Sequence, residues 1–169
     1  ICLGMQLMVI EYARNKASII NANSEEFEED GVKKSGAEVI YHLSHWFKDQ
    51  KLEVREKIQD KGGTMRLGAY PATIKKGSIA HSIYKTDLIS ERHRHRYEVN
   101  VKYKTKLESK GLCFSGFSVD GQLPEVIEVS SHPFFIGVQF HPELKSKPFQ
   151  PHPLFSSFIK AALQQTRLV

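Results

Sequence analysis

Apolar residues near the start of the chain, Met5, Met8, Val9, Tyr12 and Ala13, recur at three- and four-residue steps. That period predicts a helix with one buried face, ending near Lys16. The polar, acidic run 21–30 then reads as a surface loop, and Ala37 to Leu43 has the β-branched and aromatic content of a strand. Ser44 to Lys61 is charged without an apolar stripe, which suits a surface loop or a frayed hairpin closed by a turn at Gly62-Gly63. Thr64 to Tyr70 alternates as a half-buried strand does, and Ser78 to Lys85 reads as a short helix with Ile79 and Ile83 on one side. Arg92 to Asn100 alternates strictly, so a strand there sets three arginines on one face against two histidines and Tyr97 on the other.

Further on, Tyr103 to Lys110 suits a charged helix stopped by Gly111. Leu112 to Val119 and Glu125 to Val129 read as antiparallel strands around a turn at Asp120-Gly121. Phe134 to Phe140 is almost wholly apolar, the mark of a strand buried on both faces. After the proline-broken stretch from Pro148 to Pro153, residues Leu154, Phe155, Phe158, Ile159, Ala162 and Leu163 predict a closing amphipathic helix.

A chain of 169 residues suits one domain, and 40% hydrophobic with 25% charged residues is ordinary soluble usage. No apolar run approaches the roughly 20 residues of a membrane span. The net charge of +5 is scattered among acids, which favours anionic nucleotides or an acidic neighbouring domain over nucleic acid. Two cysteines do not make a disulfide framework; Cys113 lies in an apolar stretch as a structural thiol, and a reducing, cytosolic setting fits. Only Ile1 precedes Cys2 and the sequence does not begin with methionine, so residues 1–169 read as part of a longer protein, a partial domain lacking its first strands.

Cys2 draws attention because an apolar residue, a cysteine and a nearby glycine at the head of a helix suit a sharp strand-to-helix turn that presents one nucleophile. The helix dipole would favour its thiolate. A base is available far downstream, where the apolar run ends in His141-Pro142-Glu143. His141 could take the proton from Cys2 with Glu143 orienting its ring, or it could be a terminal histidine capped by its own loop. His93 and His95 have the spacing of a metal-binding pair without a further ligand cluster. The alternating arginines around them could meet phosphate or form a solvated edge.

Cys2-Leu3-Gly4-Met5-Gln6 together with His141-Pro142-Glu143 resembles the class I glutamine amidotransferases. Three further stretches resemble the CTP synthase branch of that family: 21–24 with Glu26-Phe27, 62–68, and Arg92 to Asn100. The resemblance spans the chain and implies an α/β, flavodoxin-like domain, with a mostly parallel central sheet and an antiparallel extension. It implies that Cys2 attacks the side-chain amide of L-glutamine, that His141 and Glu143 complete the catalytic set, and that the Leu3 N–H supplies half of an oxyanion hole. It also implies that Gln6, Glu26 and Arg96 hold the glutamine, the last two through its α-amino and α-carboxylate groups. The parent enzyme would use the ammonia to convert UTP to CTP with ATP and magnesium in a synthase domain, with GTP as activator and a homotetrameric, cytoplasmic assembly. No metal or cofactor ligand is expected in this segment; Arg55 and its basic surroundings are a candidate GTP contact. Two other readings remain: another class I amidotransferase or a γ-glutamyl hydrolase, and a non-catalytic remnant.

Overall fold

The computed structural model describes residues 1–27, 36–42, 45–48, 51–54 and 65–166, with the backbone alone at 45–48 and 51–54. The first helix, α1 (Leu3–Asn15), buries Met5, Gln6, Val9, Ile10 and Ala13, and the Lys16 N–H closes it on the Tyr12 carbonyl. This is the face the 3.6-residue period marks, with Met8 and Tyr12 on its flanks.

The acidic run does not begin as a loop. β1 (Asn23–Ser24) pairs in parallel with β2 (Glu38–His42), and a 3-10 turn at Glu25–Phe27 follows it. Full burial of Ala22 and near-full burial of Ser24 draw this polar segment onto the sheet. β3 (His45–Lys48) and β4 (Lys51–Val54) form a two-stranded hairpin, the second of the two alternatives for that region. Arg55 and Gly62-Gly63 lie outside the described residues.

β5 (Arg66–Ile74) is longer than its alternation suggests and pairs with β6 (Leu88–His95) from Arg66↔His95 to Thr73↔Leu88. Between them, α2 (Ile79–Tyr84) starts where the Ser78 hydroxyl accepts from the His81 N–H and stops at left-handed Lys85. The run from Arg92 to Asn100 is not one strand. It breaks at Arg96, and β7 (Tyr97–Val99) leaves to pair with β2. β6 and β7 therefore link a three-stranded sheet, β1-β2-β7, to a five-stranded one.

After α3 (Lys104–Glu108), Gly111 adopts φ +100° and turns the chain into β8 (Cys113–Ser118), which pairs antiparallel with β9 (Pro124–Glu128). β10 (Ile136–Val138) occupies only the middle of the apolar run 134–140. The larger sheet, ordered β10-β9-β8-β5-β6, is antiparallel throughout, and the parallel part among the described strands is the β1–β2 pair. The α/β architecture thus stands as a mixed sheet beside a larger antiparallel one.

One core packs α1 against Val39, Ile40, Phe114 and Ile127; a second joins Ala72, Ile89, Val126, Val138 and Phe140 to Leu154. Each such large side chain contributes about 1.5–3 kcal/mol by leaving water. Leu154 is the buried residue of α4 (Pro153–Thr166). The closing amphipathic helix is present, but Phe158, Ile159 and Leu163 of its apolar stripe are exposed by 54%, 56% and 56%. Gly137 lets α1 lie close to β10: a Cβ there would stand 3.0 Å from Ile127 Cγ1 and 3.1 Å from Met8 Sδ.

Candidate active site

Cys2 stands between Ile1 and α1 with φ 49° and ψ −112°. A non-glycine residue held there stores about 1–3 kcal/mol of strain, so the surroundings must fix it. They do: its N–H donates to the Val138 carbonyl at 2.7 Å, the Gly4 N–H returns to the Ile1 carbonyl at 2.8 Å, and the Gln6 N–H bonds the Cys2 carbonyl at 3.2 Å. The sharp turn is therefore real, although Gly4 is not needed to make room, since a Cβ there would meet no described atom within 4 Å.

The Cys2 sulfur lies 3.8 Å from Gln139 Nε2 and 4.0 Å from the Arg94 carbonyl oxygen. Burial pushes the thiol above its ordinary range, the carboxylates of Glu98 and Glu26 add to this, and the Leu3 N–H acts in the opposite sense. The net effect is upward, and the free site favours thiol over thiolate.

His141 is reached from the same strand. Its N–H donates to the Arg92 carbonyl at 2.8 Å, two residues before the carbonyl beside Cys2 Sγ. Along a strand that is a separation of about 7 Å. His141 Nδ1 bonds Glu143 Oε1 at 2.5 Å, and its Nε2 is buried without a hydrogen-bond partner. With the carboxylate accepting from Nδ1–H, the lone pair of neutral His141 is on Nε2, as a general base requires. Pro142 ends strand pairing here and opens a 3-10 turn at Pro142–Leu144.

Gln6 is buried and its amide is engaged within the protein, Nε2 donating to the Tyr97 carbonyl at 2.9 Å and to Gln139 Oε1 at 3.3 Å. Glu26 is exposed in the 3-10 turn, its N–H bonded to Ser24 Oγ at 3.1 Å, and its charge is felt at Cys2. Arg96 is half-buried at the junction of β6 and β7. Cys2, Leu3, Gln6, Glu26 and Gln139 thus share one neighbourhood, with His141 and Glu143 beside it.

A ring of buried charged groups lies behind the site. Arg66 Nη2 is 2.6 Å from Glu125 Oε1 and Nη1 is 3.7 Å from Glu98 Oε1, with the guanidinium over the Tyr70 ring at 4.5 Å. His93 Nε2 faces Glu125 at 3.5 Å, His93 Nδ1 bonds His95 Nε2 at 2.8 Å, and His95 Nδ1 lies 3.1 Å from the Tyr97 carbonyl and 3.4 Å from Glu98. One guanidinium faces two carboxylates here, so with neutral imidazoles one negative charge would be uncompensated. Burial keeps His93 neutral, aided by the positive charge of Arg66, and burial outweighs Arg66 in raising Glu125. Burial therefore favours the neutral form of Glu125 more than Arg66 favours its carboxylate.

This also changes the reading of the histidine pair, whose rings face each other in the interior. Among the described residues no group of three or more His, Cys, Asp or Glu is arranged to hold a metal ion. Nor is any described helix long and apolar enough to cross a membrane. Gln139, Arg66, Glu98 and Glu125 were not singled out from sequence. A polar residue inside an otherwise apolar run is the signal that Gln139 carried.

Residues 1–161 match the family described as glutamine amidotransferase class-I, and the chain belongs to that family. Among its relatives are the CTP synthases of Cereibacter sphaeroides, 57% identical over 169 residues, and Roseobacter denitrificans, 59% identical over 169 residues. Both alignments cover 100% of this chain, which spans 31% of the length of each of these relatives. A solved structure of the glutaminase domain of Trypanosoma brucei CTPS with bound acivicin is 39% identical, with a TM-score of 0.79, covering 96% of this chain and 58% of that one.

Proposed function

We propose that the chain is the glutaminase part of a CTP synthase, releasing ammonia from L-glutamine for amination of UTP elsewhere in the polypeptide. The observation that carries this reading is the strained Cys2 turn, bonded to the Val138 carbonyl just before His141 with its free, buried Nε2. Cys2 Sγ attacks the amide carbon as its proton passes to His141 Nε2. The tetrahedral oxyanion takes a hydrogen bond from the Leu3 N–H, a type of donor whose removal costs about a hundred- to a thousandfold in rate. His141 returns the proton to the leaving nitrogen, ammonia departs, and a γ-glutamyl thioester remains on Cys2. Water, activated by His141, then frees glutamate and restores the thiol. Glu143 holds the imidazole in the required tautomer, while Glu26 and Arg96 are assigned to the α-amino and α-carboxylate groups of glutamine.

Magnesium and ATP chemistry is assigned to a synthase domain elsewhere in the polypeptide. GTP would act where the two parts meet. In the full-length protein, Cys2→Ala should abolish glutamine-dependent CTP formation and spare the ammonia-dependent reaction. Loss of both would count against the reading. Glutamine hydrolysis without any uridine nucleotide chemistry would point to another amidotransferase or a γ-glutamyl hydrolase.

A further inference from the structure

The polar contacts beside Cys2 form a chain with a fixed direction. The Tyr97 carbonyl can only accept, so Gln6 Nε2, 2.9 Å away, is a donor. That same nitrogen is 3.3 Å from Gln139 Oε1, and only the oxygen end of the Gln139 carboxamide can accept there. The other end, Nε2, is thereby aimed at Cys2 Sγ, 3.8 Å away. Gln139 is 0% exposed and its N–H is anchored on the Glu125 carbonyl at 2.9 Å, so the side chain has little freedom to turn.

An N–H directed at sulfur stabilises a thiolate far more than a thiol, because a hydrogen bond to a charged acceptor is the stronger kind. We propose that Gln139 is a further catalytic residue, donating to Cys2 Sγ so that the thiolate is stabilised as the proton leaves, and that Gln6 is a positioning residue that fixes the orientation of the Gln139 carboxamide. The proposal deepens the glutaminase reading and rests on it for its function. Gln139 acts with the Leu3 N–H and the amino group at Ile1, against burial, Glu98 on β7 and Glu26 in the 3-10 turn. It also gives Gln6 a task besides holding substrate, since both hydrogens of its amide are directed within the protein.

The test is the pH profile of Cys2 alkylation by iodoacetamide in the full-length protein, resolved by peptide mass spectrometry with Cys113 as internal reference. Gln139→Met, which keeps length and loses the donor, should move the Cys2 midpoint up by about one to two pH units, and slow labelling at neutral pH by about ten- to a hundredfold. Gln139→Glu, which cannot donate and adds negative charge, should move it at least as far. Gln6→Met lets the carboxamide rotate and should give a smaller shift of the same sign. Midpoints in Gln139→Met and Gln6→Met equal to that of the parent would overturn the proposal. Should Gln139→Met unfold, seen as accelerated labelling of Cys113, the Gln6→Met midpoint decides. A shifted midpoint in a protein that hydrolyses no glutamine would sink the glutaminase reading and leave the thiolate contact standing. An unshifted midpoint with intact hydrolysis would do the reverse.

Discussion

Arg66→Met tests whether the buried ring is a charge-balanced unit. The side chain is 2% exposed and faces two carboxylates whose side chains are both 0% exposed. Removing the one cation strands them away from water, a change that costs about 3–5 kcal/mol when a buried pair loses one partner. For a chain of this length each kcal/mol lowers Tm by about 2–4 °C, so the loss should be about 6–20 °C by thermal denaturation. The sign of the pH dependence follows. Burial already holds Glu125 above its ordinary value of 4.5 despite Arg66, and removing Arg66 takes away the group that lowers it, so its folded pKa rises further. Groups raised in this way contribute stability below their unfolded pKa and lose it as pH rises, so the deficit should be small in acid and full at neutral pH. Pairing Arg66→Met with Glu98→Gln removes one charge of each sign and should recover stability beyond the sum of the single changes. A loss below about 1 kcal/mol for Arg66→Met, or strict additivity of the pair, would refute the ring as described, because such values belong to surface sites.

Two other changes probe the frame of the site. Gly116→Ala places a methyl 2.7 Å from Val126 Cγ2 and 2.9 Å from its Cβ; overpacking of this kind should cost about 1–3 kcal/mol, read as a lower urea midpoint at unchanged slope. Cys2→Gly relieves the positive φ at the turn and should melt above Cys2→Ala, whose Cβ keeps the strain, by about 1 kcal/mol; equal melting would show that Cys2 is not strained.

Much of this was legible because it rests on local chemistry. The three- and four-residue steps of Met5, Val9 and Ala13 gave the buried face of α1, and the Asp120-Gly121 turn gave the β8–β9 pairing. Pairing across the molecule was less accessible. Nothing local in the run from Arg92 to Asn100 shows that Arg96 divides two sheets, and the alternation that sets His93 and His95 on one face does not say that this face is the interior. Arg66 reads as a surface charge at a strand end until Glu98 and Glu125 arrive from β7 and β9. The stripe on α4 was visible, but periodicity shows only that a face is apolar; Phe158, Ile159 and Leu163 remain exposed among the described residues. At the site, Cys2, His141 and Glu143 stand out by residue type, whereas Gln139 sits among apolar residues and acquires a role only through Gln6 and Tyr97.

The bond from the Cys2 N–H to the Val138 carbonyl, with Gln139 reaching the sulfur across 137 positions of sequence, also orders events at the ribosome. The nucleophile is among the first residues of this stretch to be translated, and the strand that sets its geometry is among the last. At about 5–20 residues per second the gap is roughly 7–27 s. During that interval a nascent chain carries a cysteine with neither its base nor its backbone anchor, and the turn, strained in the finished fold, is free to relax. Competence to release ammonia therefore arrives late in the synthesis of this segment, when β10 docks beside α1.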